Sequence, residues 1–245
     1  MREAGRLVGE VLTELAGHVA PGVTTADLDA LAEDRITKAG ATPAFKGYHG
    51  YPATICASIN DEVIHGIPSG RRVLNEGDVL SIDVGAALGG YFGDSAMTLP
   101  VGRVSEQAAT LLRVTEESLY KGIECARPGG RISDIGHAVQ RHVEAYGLSV
   151  VREFVGHGIG QKMHEEPQVP NYGERGRGPR LAEGMVLAIE PMVNAGRASV
   201  KVRADGWTAV TADGSLSAHF EHTVAVTANG PWILTARDQP ADVRR

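Results

Sequence analysis

The sequence is poor in cysteine and has no long apolar run. Only two of its 245 residues are cysteines, and the spacing of Cys56 and Cys125 does not suit a zinc knuckle. A disulfide framework is therefore not expected, and a reducing cytoplasm is the expected location. No segment approaches the roughly 20 apolar residues of a membrane span. Residues 1–5 also lack a secretory apolar region.

Basic residues are in the minority. The sequence has 24 lysines and arginines against 30 acids, a formal charge of −6, and no run of five basic residues. A direct nucleic-acid or membrane-surface role is thus disfavoured. The 42% hydrophobic fraction is enough for a full core, in a length typical of one large domain or two small ones. These features indicate a globular protein of enzyme size.

The two halves of the chain resemble each other at an offset of 107 residues. Six of the nine positions in 74–82 are identical to those in 181–189, and the next position pairs Asp83 with Glu190. Chance identity at this level in one register is improbable. We therefore predict a single domain over 1–245, built of two related halves, about 1–107 and 108–245, that face each other across a pseudo-twofold axis. The repeat is too long for a solenoid unit.

Each half has the pattern of two helices followed by strands. Apolar spacing predicts a helix over 3–19, and Thr24 with Asp27 is typical of a cap on a second helix. In the second half, Ser105 and Ser133 are the expected caps. The predicted strands include Val79 to Ala86, Tyr91 to Leu99, Met185 to Val193 and His219 to Thr227. The expected fold class is α+β, with helices covering a curved, largely antiparallel sheet.

Five acidic or histidine side chains lie in apolar or glycine-rich stretches, namely Asp83, Asp94, His157, Glu190 and Glu221. Burying an ionised carboxylate in such a strand is costly unless a positive group meets it. Four converging carboxylates would also repel one another, so one or two divalent cations are the simplest neutraliser. A hydrolytic two-metal site is the leading hypothesis.

The segment Leu88-Gly89-Gly90 separates Asp83 from Asp94 and predicts a hairpin that brings both carboxylates together. Taken alone, each aspartate is as typical of an ordinary strand end or turn as of a metal ligand. Glu190 is the repeat equivalent of Asp83, so it would point to the same place from the other half. For Glu221 taken alone, alternation along its strand favours a solvent-facing side chain.

Three histidines lie in segments that suit the same site. The glycines of 156–160 let the backbone pack closely and leave the His157 imidazole room to reach an ion. A phosphate loop is the alternative, but no Gly-Lys-Ser/Thr follows. His164 is not part of a His-Glu-x-x-His zinc helix, because position 168 is Gln. For His65, in a tight apolar turn, a hydrogen-bonded structural role is the alternative to catalysis.

Together these motifs resemble the type I methionine aminopeptidases, metallopeptidases of the pita-bread fold. The match covers nearly the whole chain and includes Gly47-Tyr48-His49-Gly50-Tyr51-Pro52, His65-Gly66-Ile67-Pro68, Gly156-His157-Gly158-Ile159-Gly160, Ile189-Glu190-Pro191-Met192-Val193-Asn194 and Glu221-His222-Thr223. The resemblance implies removal of the N-terminal methionine from peptides and nascent proteins with a small second residue.

The resemblance also implies two divalent metal ions per chain. Asp83 would bind one metal, His157 and Glu190 the other, and Asp94 with Glu221 would bridge both. One imidazole and four carboxylates favour Mn²⁺ or Fe²⁺, and Co²⁺ or Zn²⁺ would also support activity. A water activated by the two metals would attack the substrate.

Further roles follow from the same resemblance. Glu190 would take the proton of the attacking water, His164 would stabilise the oxyanion, and His65 would contact the substrate amide or its second residue. The methionine pocket would be formed by Tyr48, Tyr51, Cys56 and Trp207, with Phe45 and Met163 nearby.

Two rival functions stay open at this point. A prolidase or aminopeptidase P resembles this catalytic domain but normally carries a separate N-terminal domain, for which 245 residues leave no room. A catalytically silent peptide-binding or ribosome-associated relative would usually lose ligands that this chain keeps. The chain also starts almost inside the first predicted helix, whereas relatives usually have a short segment before it. The expected partners are a peptide or nascent N-terminus and a transient ribosome contact, with the chain acting as a monomer.

Overall fold

The computed structural model describes residues 1–237. Within them the helices are α1 Arg2–His18, α2 Thr25–Lys38, α3 Glu106–Glu124 and α4 Ile132–Glu144, with a 3-10 turn at Tyr48–Gly50. The strands are β1 Thr42–Pro43, β2 Ile55–Ile59, β3 Glu62–Ile64, β4 Val79–Leu88, β5 Tyr91–Pro100, β6 Ser149–Val150, β7 Gly156–Gly158, β8 Glu165–Val169, β9 Val186–Ile189, β10 Met192–Asn194, β11 Val200–Val202, β12 Ala209–Thr211, β13 Ser217–His219, β14 His222–Thr227 and β15 Gly230–Ile233.

Two of the predicted helix caps are confirmed. Thr24 and Asp27 form a capping box at the start of α2, each side chain bonded to the other's backbone amide. The Ser105 hydroxyl accepts a hydrogen bond from the amide of Ala108 at the start of α3. These contacts satisfy amides that have no partner within the helix.

The prediction that Ser133 caps α4 is wrong. Arg131 occupies the cap position, and its backbone amide donates to the Asp134 carboxylate. Ser133 lies inside the first turn, where its hydroxyl donates to the carbonyl of Arg177. The sequence pattern was misleading because the serine bonds a distant loop rather than its own helix.

All the strand pairs between these elements are antiparallel, which confirms the predicted class. The strands are divided among sheets with the orders β1-β4-β2 (with β5 also on β4), β15-β14-β9-β7-β8, β13-β10-β6 and β11-β12-β3. Helices α1 and α2 pack on β2 and β4 around Leu12, Leu80 and Ile82. Helices α3 and α4 cover the second half around Leu119 and Ile189.

Two predicted strands are each interrupted at an acidic residue. The predicted strand Met185 to Val193 is divided at Glu190 and Pro191 into β9 and β10, which belong to different sheets. The predicted strand His219 to Thr227 is divided at Glu221 in the same way. The two breaks face each other, because the Phe220 amide donates to the Pro191 carbonyl. Both glutamates therefore lie where the chain crosses between the same two sheets.

Within residues 1–237, none of the helices has the length and apolar character that crossing a membrane would require.

Candidate metal centre

The β4–β5 hairpin presents two of the predicted ligands on one face. Gly89 and Gly90 form its turn with φ of 61° and 81°, values that glycine adopts without strain. Asp83 is opposite Ala96 and Asp94 is opposite Gly85. Residues directly opposite each other share a face of the sheet, and so do residues two apart, so both carboxylates project from the same side.

The second sheet adds three more of the predicted ligands by the same alternation. His157 on β7, Ala188 on β9 and Thr223 on β14 are paired across the sheet and share one face. Glu190 comes two residues after Ala188, and Glu221 comes two residues before Thr223, so both are placed on that face.

Distances show that the two groups converge. His157 Nε2 lies 3.6 Å from Glu190 Oε1 and 3.9 Å from Asp94 Oδ2. Asp94, His157 and Glu221 each offer a ligand atom, and these atoms lie within 4.8 Å of one another. Thr223 joins the sheets behind them, because its hydroxyl donates to the Asp94 carbonyl at 2.7 Å.

His157 is held in the form that binds a cation. Its Nδ1 donates to the carbonyl of Gly158 at 2.8 Å, which leaves the lone pair of Nε2 facing the carboxylates. Burial lowers the pKa of His157, so the ring is neutral near neutral pH.

The carboxylates lack the partners that buried oxygens normally have. Among residues 1–237, Asp83 Oδ1, Asp94 Oδ1 and Glu221 Oε1 accept no hydrogen bond. Burial raises the pKa of Asp83 and that of Glu190 to about 7. Burial, together with neighbouring carboxylates, raises the pKa of Asp94 and that of Glu221 well above the usual range. Unpartnered oxygens beside a neutral imidazole fit divalent cations, which would supply the missing positive charge.

Sequence reasoning missed His219 and misjudged Glu221 taken alone. Glu221 is 1% exposed, so the solvent-facing alternative is wrong. His219 is 2% exposed, and its Nε2 lies 3.7 Å from Glu190 Oε2. The available signal was that His219 and Glu221 are two positions apart. Residues at this spacing lie on the same face of an extended chain.

A cavity of about 250 Å³ opens onto the carboxylates. It is lined by Phe45, Tyr48, His49, Tyr51, Cys56, His65, Asp83, Asp94, His157, Met163, His164, Glu190, Trp207 and Glu221. All the site residues predicted from the sequence therefore lie around one space. Its volume is below the roughly 300 Å³ of the smallest drug-sized pockets, so it suits a single side chain.

The two further histidines, His65 and His164, both line this cavity and have different neighbours. The Tyr48 hydroxyl lies 2.8 Å from His164 Nδ1, and the His164 ring is 4.2 Å from that of His157. His65 packs edge-on to Trp207 at 6.3 Å. Burial lowers the pKa of His65 to about 4 and also lowers the pKa of His164, so both rings are neutral near neutral pH.

The sequence model of metallopeptidase family M24 matches residues 1–228. The chain belongs to metallopeptidase family M24. Members of this family are metal-dependent hydrolases, which agrees with the unpartnered carboxylates. The predicted need for divalent metals is thereby confirmed, and the predicted resemblance to methionine aminopeptidases is confirmed by relatives of that name.

Relatives of this M24 chain match it over nearly its full length. It is 60% identical over 235 residues to a methionine aminopeptidase of Clostridium acetobutylicum, covering 96% of this chain and 94% of the relative. It is 59% identical, with the same coverage, to methionine aminopeptidase 1 of Bacillus subtilis.

Solved structures agree with the sequence comparison. The crystal structure of a methionine aminopeptidase from Thermotoga maritima has a TM-score of 0.95 and 48% identity, covering 97% of this chain and 95% of that one. A prolidase from Pyrococcus horikoshii has a TM-score of 0.76 at 24% identity, covering 98% of this chain and 62% of that one. This second likeness shows the shared fold alone and confirms the predicted pita-bread architecture.

Proposed function

We propose that this M24 metallopeptidase removes the N-terminal methionine from peptides and nascent proteins whose second residue is small. The observation that carries the proposal is the 250 Å³ cavity, which joins a carboxylate-rich cluster to an apolar lining. That combination suits an exopeptidase that accepts one apolar side chain beside the reacting amide. Relatives named methionine aminopeptidase, at up to 60% identity over 96% of the chain, support it further.

Five residues are proposed to hold two divalent metals. Asp83 would hold one, His157 and Glu190 the other, and Asp94 with Glu221 would bridge them. When bound, such a pair supplies a water of lowered pKa and polarises the scissile carbonyl. The single imidazole among four carboxylates favours Mn²⁺ or Fe²⁺, with Co²⁺ and Zn²⁺ as alternatives.

Three side chains are proposed to act on protons and charge in the reaction. Glu190, 3.6 Å from His157, takes the proton of the attacking water. His164 donates from Nε2 to the oxyanion, because its Nδ1 is occupied by the Tyr48 hydroxyl. His65 contacts the amide nitrogen or the second residue of the substrate.

The apolar lining is proposed to select methionine. Phe45, Tyr51, Cys56 and Met163 form a buried cluster, and Trp207 packs against it. An unbranched thioether is flexible enough to fill such a lining without a branch that clashes. Branched side chains would meet the aromatic rings.

The setting of the enzyme is part of the proposal. We propose one catalytic domain over 1–245 with two related halves, acting as a cytoplasmic monomer on peptide and nascent N-termini. Residues 238–245 lie outside the described residues. A transient ribosome contact stays a prediction.

The test is release of methionine from Met-Ala-Ser by metal-free protein, with Mn²⁺, Fe²⁺, Co²⁺ or Zn²⁺ added back anaerobically. The Asp94→Asn variant should lose about a thousandfold in activity, because it removes a proposed bridging ligand. The matched control is Asp34→Asn, which changes an exposed aspartate paired with Lys38 and should leave the rate unchanged.

A Gly-Pro dipeptide distinguishes the rival functions. Cleavage of Gly-Pro alone would assign the chain to the prolidases and overturn the proposal. No turnover with any metal would favour a peptide-binding relative.

A further inference from the structure

A buried carboxylate outside the metal centre holds two arginines. Glu62, on β3, is 4% exposed. Its Oε1 accepts from Arg203 Nη1 at 2.6 Å, and its Oε2 accepts from Arg72 and from the Ile59 amide. Because burying a carboxylate is costly, this geometry is maintained only while the positive partners stay in place. We call Arg72, Glu62 and Arg203 the Glu62 cluster.

The Glu62 cluster joins three segments, two of which carry the cavity residues His65 and Trp207. Glu62 begins the strand that leads directly into His65. Arg72 holds the segment that follows His65, because its Nη1 donates to the Ile67 carbonyl at 2.8 Å. Arg203 belongs to the turn between β11 and β12, which is distant in sequence from the other two.

The β11–β12 turn, which carries Trp207, is tied together by hydrogen bonds. Asp205 accepts from the amides of Trp207 and Thr208 at 2.9 Å each and from the Thr208 hydroxyl at 2.6 Å. The Arg203 amide donates to the Thr208 carbonyl at 2.9 Å. A movement of Arg203 is therefore passed to Trp207.

The backbone ladder that joins this hairpin to β3 is short, and it is extended by a hydrogen bond from the Thr211 amide to the Asp61 carbonyl at 2.8 Å. Within the described residues, β11 pairs only with β12, and β12 is joined to β3 at Ala209 and Val210 with a register shift between them. Trp207 nevertheless has a defined place, edge-on to the Tyr51 ring at 5.1 Å. The side-chain tie from Arg203 to Glu62 adds to this ladder and to the packing of Ala209 in a buried cluster with Val63 and Ile64.

We propose that Arg203 is a positioning residue for substrate selection: by its ion pair with Glu62 it holds the hairpin so that Trp207 lines the methionine pocket beside His65. This inference rests on the proposed function. Arg203 touches neither the cavity nor the metal ligands, so its effect passes through Glu62 and the turn. Asp61 reinforces the tie, with its Oδ1 3.5 Å from Arg203 Nη2.

Arg203→Met is the informative change. It keeps most of the aliphatic stem and leaves Arg72 on Glu62, so the buried carboxylate retains one positive partner. The matched control is Lys201→Met, which removes an exposed positive charge from β11 of the same hairpin. Arg203→Lys keeps the charge but not the forked geometry and should restore part of the function.

The first readout is kinetic, with the fully metal-loaded enzyme. For Met-Ala-Ser, Arg203→Met should raise KM about tenfold and change kcat by less than about twofold, because the pocket is loosened while the reacting groups stay in place. The ratio of kcat/KM for Leu-Ala-Ser to that for Met-Ala-Ser should rise, since a mobile Trp207 excludes a branched side chain less well. Lys201→Met should match the parent in both respects.

The second readout does not depend on activity. Trp207 and Trp232 are the two tryptophans of the sequence, so Trp232→Phe leaves Trp207 as the only one. In that background, Arg203→Met should increase acrylamide quenching of Trp207, and Lys201→Met should not.

Equal quenching of Trp207 in Arg203→Met and its parent overturns the inference. An unchanged KM and an unchanged selectivity also overturn it, whatever the quenching shows. If the parent protein releases no methionine at all, the proposed function fails, and quenching alone then decides whether Arg203 positions Trp207.

Discussion

The Tyr48 hydroxyl lies 2.8 Å from Nδ1 of His164, with the two rings stacked at 5.3 Å. Tyr48 was predicted only as a pocket residue. Since a phenol readily donates to a neutral imidazole nitrogen, this contact favours the His164 tautomer that carries its proton on Nε2. The proton is then available to an oxyanion that forms in the cavity.

Tyr48→Phe should therefore lower kcat about tenfold with little change in KM, because the ring stays in the pocket while the orientation of His164 is lost. Steady-state kinetics with Met-Ala-Ser measures both. Tyr146→Phe, at a tyrosine 48% exposed, is the control and should match the parent. A rise in KM at unchanged kcat would mean that Tyr48 acts only on binding.

The local parts of the fold could be predicted from the sequence. The caps at Thr24 and Ser105 and the hairpin turn at Gly89 and Gly90 depend on residues within a few positions of one another. The buried acids of the site could also be predicted locally, because an acidic residue within an apolar strand interrupts the hydrophobic pattern.

Contacts between distant segments could not be predicted in this way. Tyr48 and His164 are 116 positions apart, and Glu62 and Arg203 are 141 apart. Neither pair leaves a periodic signal, because each depends on how sheets and loops pack. The crossing of the chain between sheets at Glu190 was missed for the same reason, since an apolar run continues on both sides of it.

His219 is expected to support Glu190, whose Oε2 is 3.7 Å from its Nε2. His219→Leu removes the ring nitrogens from a buried position and should weaken Mn²⁺ binding about tenfold, as is usual when a group behind a ligand is lost. Isothermal titration calorimetry measures the affinity. His219→Gln keeps a polar group and should retain most of it. Equal affinity in the parent and the leucine variant would exclude a role in metal binding.

Asp83 should make the metal-free protein less stable as the pH rises. Burial raises its pKa from 3.8 to about 7 in the folded chain, so between these values the folded state binds more protons than the unfolded one. The stability associated with the raised pKa of Asp83 is fully present below about pH 4. It decreases as the pH rises from about 4 and is lost once the pH has passed about 7. Asp83→Asn should thus have nearly the parent's Tm at about pH 4, a higher Tm than the parent at about pH 5.5, and the largest excess at about pH 8.

The buried histidines titrate in both Asp83→Asn and its parent, so their contribution to the difference in Tm cancels. Added Mn²⁺ should reverse the order at pH 8, because only the parent keeps the full set of ligands. Asp213→Asn is the control, since hydrogen bonds from Arg197 and Ser215 lower the pKa of Asp213 to about 2, below the range tested. A difference in Tm between Asp83→Asn and the parent that does not vary with pH would contradict the prediction.

Gly66 and Gly70 offer a test of how closely the His65 turn packs. A Cβ at Gly66 would lie 2.4 Å from the Ala57 carbonyl oxygen, whereas one at Gly70 would have nothing within 4 Å. Gly66 also exchanges backbone contacts with β2, where its carbonyl accepts from the Ala57 amide at 2.8 Å. Because the obstacle is backbone rather than a flexible side chain, the turn itself must move.

Gly66→Ala should lower the free energy of unfolding by about 2 kcal/mol, the usual cost of overpacking, and Gly70→Ala should change it by less than about 0.5 kcal/mol. Urea denaturation of the two variants measures the difference. Since His65 precedes Gly66 directly, kcat/KM should fall in Gly66→Ala under conditions where circular dichroism shows it folded. Equal stability of the two variants would mean that the turn yields freely, and full activity in Gly66→Ala would mean that the position of His65 is not critical for turnover.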